Sequence, residues 1–117
     1  MSHEYSIIIA TFPEREIARK IAKLLVEQRL AACAQLLPIE SIYKWNGEIC
    51  EEGEVMLFIK SKTDLFAEIS AAIKTHHPYE VPEIIQIPIS TGLPDYLRWI
   101  NDCTNKAELD VNLPVFK

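Results

Sequence analysis

Apolar positions along this chain recur with two different periods, and the order of the two predicts an architecture before any single residue is singled out. Ser6-Ile7-Ile8-Ile9-Ala10 is short, apolar and β-branched, as a buried strand requires. Thr11-Phe12-Pro13-Glu14 follows with a capping-box pattern and a proline in the first turn. Ile17, Ile21, Leu24 and Leu25 then recur at helical spacing, with Arg19, Lys20, Lys23 and Glu27 falling elsewhere. An amphipathic helix over about residues 14–29 is predicted, one face to the core and the other to water.

Asn46-Gly47 is the strongest local signal, because both residues tolerate the positive φ angles of a type I′ turn and both flanks have β character. A hairpin follows, in which Tyr43 and Trp45 oppose Cys50 and Glu48. Its arms extend outward to Cys33 and Lys60, which face each other if no bulge shifts the register. At roughly 3.4 Å per residue such an arm approaches 40 Å, against a radius of gyration of about 13 Å expected for a chain of this size. The tip therefore overhangs its own subunit. Pro38 and Gly53, near mid-arm, predict a bulge or bend. An overhanging ribbon tipped with Tyr43 and Trp45 is an aggregation hazard unless another chain covers it, so the two aromatics are read as interface residues of a homo-oligomer.

Thr63 or Asp64 can cap a second helix, with Leu65, Phe66, Ile69, Ala72 and Ile73 as its apolar stripe and His76-His77-Pro78 as its stop. Glu83 to Ile89 reads as a strand whose Pro88 belongs at a sheet edge. A third, shorter helix starts at Pro94 and carries Tyr96, Leu97, Trp99 and Ile100. The tail from Asp110 to Lys117 is either a last edge strand or a docking arm. The order is that of an α+β ferredoxin-like sandwich, βαββαβ, with a long central hairpin and an extra C-terminal helix.

Composition narrows the function classes. The 117 residues suit one domain spanning 1–117, and 49% hydrophobic residues with three glycines exclude a disordered or low-complexity chain. A net charge of −5, from 17 acids against 12 bases with no basic run, argues against nucleic acid as a partner. No stretch is long and apolar enough for a membrane span or a secretion signal, so a soluble cytoplasmic protein is expected. Cys33, Cys50 and Cys103 are odd in number and widely spaced, as free thiols in a reducing compartment would be, and no Cys-x-x-Cys knuckle suggests structural zinc.

Candidate chemistry concentrates in His76-His77-Pro78-Tyr79-Glu80-Val81-Pro82-Glu83. Each proline stiffens the backbone and drives the residue before it out of the helical region, so the segment is an extended exit from the second helix. His76 and His77 suit copper, nickel or zinc, with Glu80 or a thiol completing the ligand set. The alternative is that His76 merely sits at the helix C-terminus, where an imidazole complements the dipole. Cys33 with His77 as its base would be a nucleophilic pair, yet no strand-to-helix elbow or oxyanion hole accompanies it, and a buried small residue is the simpler reading. Lys60 and Tyr79 suit an anion pocket or a surface network. Trp45 and Trp99 suit interfaces.

Arg29-Leu30-Ala31-Ala32-Cys33, Ser41-Ile42-Tyr43 with Trp45 and Gly47, Glu54-Val55 leading to Lys60, His77 to Glu83, and Tyr96-Leu97 with Trp99 together resemble the CutA family of divalent-cation tolerance proteins. The resemblance implies a ferredoxin-like protomer in a compact homotrimer, similar to the PII signalling proteins, with strands pairing between subunits. It also implies binding of Cu(II) or another divalent metal ion in the response to metal ions, and no catalytic reaction. Some bacterial members group a cysteine late in the first strand with the tandem histidines as copper ligands. The matching position here is Ala10, so His76 and His77 are the ligands that carry over. Cys33, Lys60, His77, Tyr79 and Glu80 match positions that line a cleft between protomers. The expected function is metal binding through His77 with help from His76. Its alternative is a signalling module of the PII type that holds a small anionic ligand with Lys60 and Tyr79.

Overall fold

A computed structural model describes residues 3–105, in the order β1 (Tyr5–Phe12), α1 (Arg15–Glu27), β2 (Cys33–Trp45), β3 (Glu48–Lys62), a 3-10 turn (Thr63–Leu65), α2 (Phe66–His76), β4 (Ile84–Pro88) and α3 (Pro94–Cys103). The strand or arm expected from Asp110 to Lys117 lies outside the described residues. All neighbouring strands are antiparallel, in the spatial order β2-β3-β1-β4. This is the split βαβ arrangement anticipated from the order of elements.

The hairpin forms without interruption. Every residue from Cys33 to Trp45 faces its partner from Lys60 down to Glu48, and the turn places Asn46 at φ 51° and Gly47 at φ 81°. The bulge or bend expected at Pro38 and Gly53 is absent, since Pro38 pairs with Val55 and Glu40 with Gly53 in unbroken register. The reason is positional. A two-residue turn makes Trp45–Glu48 a hydrogen-bonded pair, so by alternation Pro38 occupies a non-hydrogen-bonded rung and its missing N–H falls on the open edge of β2.

Two expected helix caps also give way to tertiary demands. Thr11 and Phe12 continue β1, Phe12 pairing with Val55 in the core, and Glu14 precedes α1 in extended conformation without a side-chain cap. Thr63 bonds instead to Ser6, Oγ to Oγ at 2.6 Å, and its N–H donates to the Glu4 carbonyl at 2.8 Å, so neither it nor Asp64 caps α2. Both hydroxyl residues are drawn into sheet contacts that outweigh a cap of about 1 kcal/mol.

One face of the sheet carries the core. Ile8, Ala10 and Phe12 of β1 and Leu57 and Ile59 of β3 are fully buried against Ile21 and Leu25 of α1 and Ile69 and Ile73 of α2. Each large aliphatic so placed contributes about 1.5–3 kcal/mol. On the reverse face, strand alternation places Ile7, Ile9, Leu37, Phe58, Ile85 and Ile87. Leu37 remains 50% exposed there. β1 ends at the Phe12–Val55 rung, so the hairpin runs on from Ile39 and Glu54 as a bare two-stranded ribbon of roughly 24 Å. The molecule measures 50 × 30 × 27 Å with a radius of gyration of 15.3 Å, and Trp45 at the ribbon's end is 65% exposed.

Candidate functional site around the tandem histidines

Pro78 ends α2 as the sequence predicts, because its ring forbids helical backbone at His77, which is extended at φ −86°, ψ 136°. The consequence is that the adjacent imidazoles part company. His76 stays on the helix, exposed, with Nδ1 3.0 Å from the Ala72 carbonyl. Nδ1 must therefore carry the hydrogen and donate it, which leaves the Nε2 lone pair free. His76 borders a shallow groove of about 350 Å³ with Ile17, Lys20, Ile21 and Leu24 of α1.

His77 turns inward and is only 9% exposed. Its Nδ1 accepts the Tyr79 N–H at 3.1 Å and its Nε2 donates to the Thr11 carbonyl at 2.7 Å. Its ring stacks on Phe12, centroids 4.7 Å apart and planes 26° apart. A backbone N–H must meet a lone pair and a carbonyl must meet a hydrogen, so the ring is the neutral Nε2–H tautomer with both nitrogens engaged. A chelate using both histidines would first break these two bonds. The pair as folded does not fit one metal ion, and among the described residues no group of three His, Cys, Asp or Glu side chains is arranged to hold one. Ala10 is fully buried on the core face.

Tyr79 packs against His77 with ring centroids 4.9 Å apart and reaches the hairpin ribbon. Burial first, then the charges of Glu54 and Glu52 and a hydrogen bond with Glu54, push its phenol above the ordinary value of 10.0. Tyr43 in turn donates its hydroxyl hydrogen to Glu52. Two phenols and two carboxylates thus lie along the ribbon, from Glu54 at its root to Tyr43 towards its tip. Glu80, on the same loop as Tyr79, is exposed.

Cys33 and Lys60 form the rung at the opposite end of the hairpin, and the Lys60 ammonium lies 5.6 Å from the centroid of the Tyr96 ring on α3. Glu54, the ribbon neighbour of Tyr79, is six positions along β3 from Lys60, a separation of roughly 20 Å. One protomer therefore does not bring Cys33 and Lys60 to Tyr79 and Glu80. His77 sits at Thr11, whose partner Met56 is four positions from Lys60, so Cys33 and His77 are more than about 14 Å apart and form no nucleophile–base pair.

Sequence reasoning missed Arg29. It adopts φ 59° just beyond α1, and its guanidinium donates to the Asp102 and Asn105 carbonyls at 2.6 and 3.1 Å, tying α3 to the start of β2. A cation in the last turn's wake is a recognisable C-cap signal, but its partner at the far end of the chain is not. The acids facing Tyr79 were also unforeseen.

Residues 6–103 match the family described as CutA1 divalent ion tolerance protein. The divalent-cation tolerance protein CutA of Thermus thermophilus is 44% identical over 99 residues, covering 84% of this chain and 96% of that one. Mouse Protein CutA is 42% identical over 103 residues, and the match spans 87% of this chain but 58% of that longer protein. The crystal structure of CutA1 from the psychrotrophic bacterium Shewanella sp. SIB1 superposes with a TM-score of 0.86 at 44% identity, covering 89% of this chain and 98% of that one. Fold, sheet order and the His77–Glu83 segment thus converge with the match over most of the length, and the chain belongs to the CutA1 family of divalent ion tolerance proteins.

Proposed function

We propose that the chain serves divalent-cation tolerance as a non-enzymatic homotrimer that contacts the ion, Cu(II) above all, through His76 Nε2. The observation carrying this reading is that His76 holds the one unengaged imidazole lone pair of the tandem, at the surface. Imidazole nitrogen suits Cu(II). His77 is a positioning residue that fixes the exit from α2 and hence where His76 points. Calorimetric titration of tag-free protein with Cu(II) should show His76→Ala losing most of the affinity and His77→Gln keeping most of it. Unchanged affinity in His76→Ala refutes the assignment.

The trimer is supported by the uncovered apolar face and by a ribbon with only its own two strands to hold it, an arrangement marginal alone in water. Light scattering should give three chain masses for the parent protein and a smaller species for Leu37→Glu, which places a charge on that face. A parent protein that is monomeric at micromolar concentration defeats the proposal.

One observation favours the alternative of a PII-like module binding a small anion between subunits. The half-buried Lys60 ammonium faces the Tyr96 ring, and among the described residues no carboxylate pairs with it. A thermal-shift screen of small anionic metabolites, repeated on Lys60→Ala, tests this. A stabilising anion whose effect survives the substitution excludes Lys60 as the site.

A further inference from the structure

β2 is an outer strand of the sheet, and among the described residues only β3 flanks it. Odd-numbered residues from Cys33 to Trp45 hold the hydrogen-bonded rungs, so the N–H and C=O groups of Ala34 and Leu36 point outward to the open edge. Their side chains lie on the core face, since their rung partners are the buried Ile59 and Leu57. There they floor a groove of about 460 Å³, with Ala22 and the 42% exposed Val26 of α1 beside them and Arg19, Lys23 and Glu27 along the rim. Unpaired edge backbone beside an apolar trough is the geometry that accepts an added strand.

The chain itself supplies the occupant. Arg29 donates its N–H to the carbonyl of Val26, at the near end of the groove, at 3.1 Å, and its guanidinium holds the Asn105 carbonyl at 3.1 Å. Asn105 is thus fastened about one arginine side chain away from the groove, and the residues after it start from there. They read Lys106-Ala107-Glu108-Leu109-Asp110-Val111-Asn112-Leu113-Pro114-Val115, in which Leu109, Val111, Leu113 and Val115 alternate with polar residues and proline. That is the period of a strand with one apolar face. The family match covers residues 6–103, so this pattern lies outside it. A link of residues 106–108 spans roughly 10 Å. The other open edge, that of β4, stands beyond β3 and β1, about 14 Å farther off.

We propose that residues 108–112 dock on β2 of the same chain as a short parallel strand, with Leu109 and Val111 in the groove. Asn105 is held at the Cys33 end of β2, so a segment following the edge from there runs in the direction of β2. Set beside Ala34 and Leu36, Leu109 and Val111 close a parallel ladder. The Ala34 and Leu36 N–H groups donate to the Glu108 and Asp110 carbonyls, and the Asp110 and Asn112 N–H groups donate to the Ala34 and Leu36 carbonyls. The next rung sets Pro38 beside Leu113. Pro38 has no N–H to offer, and its carbonyl meets Pro114, which has none either, so the ladder stops by itself. Docking blunts the root of the edge and leaves the stretch from Glu40 to Lys44 open to a partner copy. The inference rests neither on the metal assignment nor on the trimer.

Amide hydrogen exchange in the full chain, read by NMR at Ala34 and Leu36, tests the docking. Both N–H groups should be protected in the parent. Val111→Asp should speed their exchange at least about tenfold, the change expected when a carboxylate replaces an apolar side chain that docking buries. Gln35 and Leu37, bonded to β3, should exchange as before. Protection of Ala34 and Leu36 that survives Val111→Asp, or free exchange in the parent, overturns the proposal. The origin of the occupant is read from a disulfide in a Val26→Cys/Leu109→Cys variant, refolded from equal amounts of light and heavy-isotope-labelled chain, mildly oxidised and mapped by mass spectrometry. Disulfide-linked peptides of uniform label are expected. Pairs mixing light and heavy halves assign the groove to the tail of a second copy and overturn the proposal, as does failure of the disulfide to form.

Discussion

Replacing His77 by alanine separates a structural role for the second imidazole from a ligand role. The substitution removes the Nε2 donor to the Thr11 carbonyl and the Nδ1 acceptor of the Tyr79 N–H, and leaves both backbone groups without their partner. At about 1–1.5 kcal/mol for each lost bond, the pair is worth about 2–3 kcal/mol. Loss of the stack on Phe12 adds about 0.5–1 kcal/mol, for a total near 3 kcal/mol. With a urea dependence of about 2 kcal/mol per molar, the unfolding midpoint should fall by about 1.5 M. Parent and variant must be compared at one chain concentration, since an oligomer's apparent stability depends on it. His77→Gln can restore one bond and should recover roughly half of the loss. His76→Ala, which removes one exposed bond to the helix's own backbone, should cost less than about 0.5 kcal/mol. A His77→Ala loss below about 1 kcal/mol, or an equal loss in His76→Ala, refutes the reasoning.

Gly47→Ala should destabilise by about 1 kcal/mol in thermal unfolding, because φ is +81° while nothing lies within 4 Å of the added methyl; the cost is backbone strain alone. Gly53→Ala, equally open but at an ordinary φ, should be neutral or slightly stabilising, and a loss matching Gly47→Ala would contradict that account. The Tyr79 phenol is held above 10.0, so the folded chain keeps a proton that the unfolded chain releases. Its stability contribution is intact below about pH 10 and is lost as pH rises through the folded value. Tyrosinate absorbance, parent minus Tyr79→Phe, should titrate above 10.0, and Glu54→Gln should move that step back toward it; an unshifted step in Glu54→Gln counts against the assigned cause.

What could be read from the chain divides along physical lines. Turn chemistry at Asn46-Gly47 specified both φ angles and therefore the Cys33–Lys60 rung twenty-seven positions apart, because pairing propagates from a two-residue turn without further information. The Pro78 stop was equally local. The caps at Thr11 and Thr63 failed because a hydroxyl has several uses, and sheet partners distant in sequence claimed them. The tandem histidines were legible as chemistry but not as geometry. Only the approach of Thr11 and Phe12, more than sixty residues away in the chain, reveals that one imidazole is structural. The Arg29 anchor depends on where α3 docks, which no local pattern encodes.

The unbulged hairpin separates two properties that loops ordinarily entangle, reach and facing. Removing one residue from each arm would preserve the turn and all remaining pairs but carry Trp45 to the opposite side of the ribbon. Removing two from each would return it to its present side, about 7 Å closer to the body of the fold. The ribbon can thus lengthen or shorten only in double steps without presenting a different surface to its neighbour. Graded trimming of these arms would show whether a partner copy measures the hairpin by its length or by its face.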